Sequence, residues 1–434
     1  MSALKSNLIN LEPLNDSIYP KKIAFVISLL RNIFEYAIAA ILFIQGNTVW
    51  ITLAPIRNTI GSALYKCLIV CMIFCVVLSL RKISGKELIC GAAVILSLAL
   101  YMGIVYKTTK TNADVYLSFA VMYLIFALYC LISRSNVFFE VLKKYRNIVC
   151  AVAVFSLVMW LLCSVFKLIP STSIAMTSWS DIPTVDKPIR SWFGIYFETQ
   201  GIRNTSVFTE GPMAALHYSL ALLIEMLLSK KPSFITFGIL AIAIFSTMTT
   251  TGILVVGAIC FIYAIIFIHK KGWLKKKAVK ISLISVILIG CAAAIAIVVW
   301  KVSTVSGSIR SDDMRAGWLA FTDHPIVGNG CNNLPAIQKY MSEWRSFNTG
   351  YSSGLLWVLS DGGLLLGALY LCPIICALVK GIMKKQWLFA IFAVSIFIIF
   401  LITVFQYSFL LSFISVFLLF WKPEKSKTKF EQKH

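Results

Sequence analysis

Histidine is scarce in this chain, and its scarcity narrows the chemistry. Only four occur in 434 residues, and two of them, His269 and His434, fall in segments that the charge pattern assigns to the cytoplasm. That argues against a metal enzyme facing outward. Charge is sparse as well: 13% charged residues against 59% hydrophobic excludes an ordinary soluble protein. Acids are the rarer sign, 18 against 40 lysines and arginines. Cysteine is present twelve times, yet only Cys331 sits in an outward loop, and the others lie within or at the ends of apolar runs. Neither a disulfide framework nor a zinc cluster is therefore expected. Cys67, Cys71 and Cys75 share a helix face at i, i+4 spacing and read as small packing residues. No cleavable signal peptide is expected, because residues 1–22 are polar and the first apolar run is long enough to span and remain. No internal repeat is visible.

What is abundant is apolar sequence in runs of about 20 residues, the length that crosses ~30 Å of hydrocarbon. Twelve helices are predicted, at 23–44, 60–80, 88–105, 113–133, 147–167, 213–229, 234–248, 252–268, 281–300, 353–379, 387–404 and 406–421. Basic clusters fall in alternate connections: Lys21/Lys22, Arg81/Lys82/Lys86, Arg134/Lys143/Lys144/Arg146, Lys230/Lys231, Lys270 to Lys280, Lys380/Lys384/Lys385 and the tail from Lys422. Positive residues resist translocation, so both termini are expected in the cytoplasm. The formal charge of +22 is mostly this topological lysine, beside an anionic leaflet, and nucleic acid is not an expected partner. The expectation is an all-α polytopic membrane protein, a single integral membrane domain over 1–434. Two long outward loops, 168–212 and 301–352, would bear short amphipathic helices.

Arginine departs from the lysine pattern. Six of the ten arginines, Arg57, Arg190, Arg203, Arg310, Arg315 and Arg345, lie in segments expected to face outward. Guanidinium offers a planar fork that matches phosphate oxygens bidentately, where lysine is a point charge. A phosphate clamp built from Arg190, Arg203, Arg310 and Arg315 is one reading. The other is that these arginines pair with Asp181, Asp186, Glu198, Asp312, Asp313 and Glu343 nearby. Trp192, Tyr196 and Tyr351 are candidate sugar-stacking faces, although an interfacial aromatic belt has the same composition. In the second loop, Ser311 is a candidate cap for a helix with Met314, Trp318 and Phe321 on one face. Leu334, Ile337, Met341 and Trp344 mark another amphipathic stretch, and Gly328-Asn329-Gly330 reads as the turn between them.

The stretch from Arg203 through Phe208-Thr209-Glu210-Gly211-Pro212, running straight into an apolar helix, resembles the Arg...Phe-x-Glu-Pro signature of the bacterial O-antigen polymerase and ligase superfamily. Arg310 to Gly330, with Trp318 and Asp323-His324-Pro325-Ile326-Val327-Gly328, resembles that superfamily's second outward loop. Arg190 followed by ten residues and Gly201 is similar to the Arg-x10-Gly pattern of the polymerases. Thr249 to Gly252 and Asp361-Gly362-Gly363 to Gly367 are also similar to family features. Two departures stand out. Neither Arg310 nor Arg315 has glycine at the family's longer offset, and Tyr351, Ser352 and Ser353 occupy the region where ligases carry their His-Asn-like pair. The second departure removes the presumed ligase base and favours a Wzy-type polymerase.

The resemblance implies a metal-independent, cofactor-free glycosyltransferase in the bacterial cytoplasmic (inner) membrane. Its substrates would be polyprenyl-pyrophosphate-linked oligosaccharides of O-antigen or capsule, with membrane lipid around it and a chain-length regulator and a flippase as partners. Arg203 and Arg310 would be catalytic, and Arg190 and Arg315 would join them on the pyrophosphate. Glu210 is the first candidate base, with His324 and Asp323 behind it; the alternative reading has Glu210 holding Arg203 and His324 shaping its turn. An O-antigen ligase and a lipid-linked oligosaccharide flippase remain as alternatives, the latter expected to place its site near the bilayer midplane. Charges inside spans need partners. Arg31 and Glu35 are one turn apart and can satisfy each other, Glu225 lies near a helix end, and Asp361 sits among glycines as a candidate second-layer partner of the arginines.

Overall fold

The computed structural model describes residues 21–54, 56–78, 113–132, 137–179, 185–229, 231–271 and 303–421, with isolated positions between 85 and 100 and between 281 and 299. The helix expected over 281–300, most of that over 88–105, Arg81, Lys82, Arg134, Asp181, Lys230 and the tail from Lys422 lie outside the described residues.

Helices occupy the other ten predicted segments. They are α1 (Lys21–Ile44), α3 (Arg57–Val77), α4 (Ala113–Ile132), α5 (Val137–Met159), α6 (Gly211–Leu223), α7 (Phe234–Ser246), α8 (Thr250–Lys270), α11 (Gly354–Met383), α12 (Trp387–Ile402) and α13 (Phe409–Phe420). A single turn, α2 (Val49–Thr52), follows α1, and α9 (Val305–Asp323) and α10 (Leu334–Gln338) belong to the second long loop. Among the described residues six helices are long and apolar enough to cross a membrane, and four shorter apolar helices accompany them. The chain is a helical membrane protein.

α5 and α6 both end in π-helical turns, Trp160–Val165 and Ile224–Leu228. α5 starts ten residues before the predicted boundary, bringing Lys143, Lys144 and Arg146 onto the helix. Hydropathy misses this because the acids that neutralise Lys144 and Arg146 come from elsewhere in the chain, while Glu140 of the same helix pairs with Lys143. Lys144 Nζ donates to Glu35 Oε2 at 2.6 Å, Arg31 Nε lies 3.5 Å from Glu35 Oε1, and Arg146 pairs with Glu225. The expected Arg31–Glu35 pair is thus a triad that binds α1 to α5. His217 is buried on α6, its Nδ1 2.6 Å from Tyr145 Oη and its Nε2 2.7 Å from Gly46 O, with Phe208 stacked on the ring.

Among its described residues the first long loop carries no short helix before Gly211. It forms an antiparallel sheet in the order β1 (Ser173–Thr177), β2 (Lys187–Trp192), β3 (Tyr196–Glu198), with Arg190 opposite Ile174 on one side and Glu198 on the other. Isolated bridges Thr48↔Phe208 and Leu53↔Thr177 tie the α1–α3 connection to it. Inward residues Ile189 and Phe197 pack on Val49, which closes the sheet onto the bundle. Strands this short carry too few alternations for a periodicity to be read.

Contacts gather both long loops at one end of the bundle. Asn204 Nδ2 donates to Ser246 Oγ at the end of α7, the Phe409 N–H to Gln45 Oε1, and Arg310 to Ile402 O at the end of α12. This end is expected to face outward. With a maleimide that cannot cross the membrane holding the protein, Ile174→Cys should label from the outer side and Lys384→Cys should label only after that membrane is broken. The reverse pattern would invert the topology.

Candidate functional site

α9 is the frame of the second loop. It begins at Val305 because Thr304 Oγ1 accepts the Gly307 N–H at 3.2 Å, a side-chain cap seven residues before the expected Ser311. The longer helix carries Arg310, Asp312, Asp313 and Arg315 together. Asp312 and Asp313 are buried, and the residue that answers them is Arg345, itself 1% exposed. Arg345 Nη1 lies 2.9 Å from Asp313 Oδ1 and 3.4 Å from Asp312 Oδ2. The same fork donates to the carbonyls of Ile309 (3.2 Å), Asn348 (2.9 Å) and Gly350 (2.9 Å). One planar cation thereby staples the returning chain to α9. Sequence gives little sign of it, because its acids lie 32 and 33 residues upstream.

The second fork is Arg315. It donates twice to Asp312 Oδ1, at 3.2 and 2.7 Å, and also to Tyr340 O and Ser342 Oγ. Burial raises the Asp312 carboxyl, but the hydrogen bonds from Arg315 and Ser342 outweigh it and hold the group below the usual carboxylate range. At Asp313 burial wins over the bonds from Ser352 and Arg345, and the carboxyl is pushed up. The predicted amphipathic stretch from Leu334 to Trp344 breaks after Gln338, leaving α10 and a 3-10 turn, Glu343–Phe347; in the break Tyr340 O accepts from Arg315 and the Ser342 N–H donates to Asp312 Oδ2.

The His-Pro turn docks into a break in α11. At Gly363 the helix takes φ 59°, ψ −155°, which frees its backbone for another chain. Leu364 N–H donates to Pro325 O at 2.8 Å, Asn329 N–H to Ser360 O at 2.8 Å and Gly330 N–H to Asp361 O at 2.9 Å. Asn329 Nδ2 adds bonds to Ala320 O and Ser360 O, and His324 Nδ1 lies 2.9 Å from Asn329 Oδ1. His324 is here a turn-shaping residue. Asp361 is fully buried and accepts the Asn332 N–H at 2.7 Å, the Asn333 N–H at 3.3 Å and the Tyr407 hydroxyl at 2.6 Å. It anchors the loop backbone to α11 and to the segment before α13. Gly328 has φ +76°, and a Cβ there would lie 2.3 Å from the Asp361 carbonyl carbon. Gly328→Ala should therefore undock the turn, measured as a lower melting temperature and faster proteolysis at 324–330. An unchanged profile would show the turn to be held by its side chains alone.

The four clamp arginines divide into two kinds. Arg190, whose side chain is exposed on β2, lies 3.5 Å from Glu198 Oε1, and Arg315 is paired with Asp312. Arg203 is exposed and makes no ion pair or hydrogen bond with a described residue, and Arg310 is half-buried with its Nη1 on Ile402 O at 3.2 Å. Arg310 faces the end of α12 while Arg315 faces the Tyr340–Ser342 turn, so the two are directed apart on one helix. Glu210 occupies the N-cap position of α6 in extended conformation, its backbone carbonyl accepting the Met213 and Ala214 N–H groups. Asp323 is engaged by Lys339 Nζ at 2.5 Å and Tyr340 Oη at 2.6 Å; those two hydrogen bonds hold its carboxyl below the usual range.

The three aromatic candidates differ in burial. Trp192 and Tyr196 pack against each other and on Met159 and Cys163, with Trp192 Nε1 on Ile169 O and Tyr196 Oη on Ser164 Oγ. Both rings are core, because the strand turn folds them under the sheet. Tyr351 is partly buried, its hydroxyl filling the space that a Cβ on Gly317 would take. Among the described residues no group of three or more His, Cys, Asp or Glu is placed to hold a metal ion. No protein-family model matches this chain, and no curated protein is significantly similar to it.

Proposed function

We propose that the protein extends lipid-linked glycans, transferring a growing oligosaccharide from polyprenyl pyrophosphate to the next lipid-linked repeat unit at the outer face of the bacterial cytoplasmic membrane. The observation that supports this most is the pair Arg203 and Arg310, guanidiniums at the loop end whose charge no described carboxylate neutralises. A diphosphate leaving group is the anion their planar forks fit. In the transfer, the acceptor hydroxyl attacks the donor's anomeric carbon, the bond from that carbon to the pyrophosphate oxygen breaks, and the hydroxyl proton passes to a base. Arg203 and Arg310 stabilise the departing pyrophosphate, with Arg190 and Arg315 at the margin, each already holding an acid. Glu210, on the segment that leads from Arg203 into α6, is the base this reading selects.

A flippase is the second reading, favoured by the break in α11 beside buried Asp361, since transporters use discontinuous helices. Here the break is filled by residues 325–330, and the Asp361 carboxylate receives N–H and O–H donors, which leaves less room for a moving substrate. Deletion of the gene separates the classes. A polymerase mutant should display surface glycan carrying one repeat unit. Loss of even that form, with the upstream pathway intact, would instead favour flippase or ligase. The purified protein should extend lipid-linked repeats without added divalent metal, and activity abolished by chelator and restored by metal would defeat the arginine-only mechanism.

A further inference from the structure

At the end of the bundle opposite the loops, a cavity of about 480 Å³ opens between α5 and α7. Its polar wall is formed by Arg146, Asn147, Glu225, Lys231, Ser233 and Thr236, and Val154 continues it along α5. Arg146 also donates from Nε and Nη2 to Asn147 Oδ1, at 3.1 and 2.6 Å. Glu225 is 2% exposed and already committed: Arg146 pairs with it, Ser229 Oγ donates to it at 3.2 Å, and the Ser233 N–H donates at 2.5 Å. Lys231 is exposed and makes no ion pair or hydrogen bond with a described residue. Two cations against one anion leave the cavity with one positive charge in surplus. The N-terminus of the 13-residue helix α7 adds its partial positive charge, since Ser233 is its cap and Thr236 lies in its first turn.

The walls above the charges are apolar and uncovered. On α5, Ala151, Val154, Phe155 and Val158 are exposed, and on α7 Ile235 and Ile242 are exposed. From Arg146 to Val158 the helix rises about 18 Å, close to the ~15 Å of hydrocarbon in one leaflet. α5 runs from the end that the lysine pattern assigns to the cytoplasm towards the loop end. A molecule with its charge at Arg146 and Lys231 would therefore have its tail directed to the midplane, as a lipid of the cytoplasmic leaflet does.

We infer that this groove binds an anionic diacyl phospholipid, its phosphodiester held by Lys231 and Arg146 and its acyl chain laid along α5. A phosphodiester with no compensating headgroup cation carries one negative charge, which matches the surplus; a zwitterionic headgroup does not. The assignment stands independently of the chemistry at the other end.

The test uses the full chain purified in detergent, with its melting temperature followed against short-chain phosphatidylglycerol, short-chain phosphatidylcholine and inorganic phosphate. Phosphatidylglycerol should stabilise at concentrations where the other two do not. Lys231→Gln should weaken that response about fivefold while leaving the lipid-free melting temperature unchanged, since the side chain is exposed. The double variant Arg146→Gln with Glu225→Gln removes the buried pair without leaving a bare charge and tests the second contact. Equal stabilisation by phosphatidylcholine, or an undiminished phosphatidylglycerol response in Lys231→Gln, overturns the proposal. Stabilisation by phosphate alone to the same extent overturns the lipid and leaves a free-anion site.

Discussion

Arg203→Lys is expected to lower chain extension by about 10²- to 10³-fold with protein level and membrane insertion unchanged, on the scale of losing a preorganised charge-stabilising donor. Lysine keeps the positive charge but replaces a planar fork by a single ammonium, so a bidentate phosphate contact is lost while a point-charge attraction survives. Stability should not respond, because Arg203 is exposed and makes no bond with a described residue that the exchange would break. Arg310→Lys should follow the same pattern, since its one described hydrogen bond, to Ile402 O, is within the capacity of an ammonium. Arg57, in the first turn of α3, is the control and should tolerate lysine. Lipid-linked product resolved by gel supplies the readout. Near-normal chain length in both Arg203→Lys and Arg310→Lys would remove the clamp and leave these arginines as loop surface.

The two kinds of arginine explain what sequence could and could not say about the site. Helix positions were legible because apolar runs long enough to span leave few other solutions, and ten of the predicted segments are helical in place. The Gly328-Asn329-Gly330 turn was legible for the same kind of reason, since positive φ at Gly328 and Gly330 is glycine chemistry. What was not legible depends on partners distant along the chain. Local pattern could not tell that Arg190 and Arg315 hold acids while Arg203 does not, nor that Trp192 and Tyr196 turn inward. Asp361 stands out in sequence as a charge among glycines, but the groups it accepts from, the Asn332 and Asn333 N–H and the Tyr407 hydroxyl, lie 29, 28 and 46 residues away. The break at Gly363 and the turn that fills it make sense only together, each supplying backbone groups the other lacks.

Arg345→Met should have the largest effect on stability, and it tests the opposite idea from Arg203→Lys. Methionine preserves an unbranched apolar stem but leaves Asp313 buried without its cation, while Asp312 keeps Arg315, and breaking a buried pair from one side typically costs about 3–5 kcal/mol. Both partners are almost wholly enclosed, at 1% exposure each for Arg345 and Asp313, so solvent does little to soften the loss. The carbonyls of Ile309, Asn348 and Gly350 lose their donor at the same time. The returning segment 343–352 should come away from α9, exposing the bonds after Arg315 and Lys339 to trypsin added from the outer side. Adding Asp313→Asn to Arg345→Met should recover part of the protection, because it removes the stranded charge while Asp312 stays on Arg315. Activity should fall with the loss of order rather than ahead of it, the reverse of the Arg203→Lys result. If trypsin cleaves Arg345→Met no faster than the parent, the loop is held by the packing of Ile337 and Tyr351 against α9, and the guanidinium is incidental to its shape.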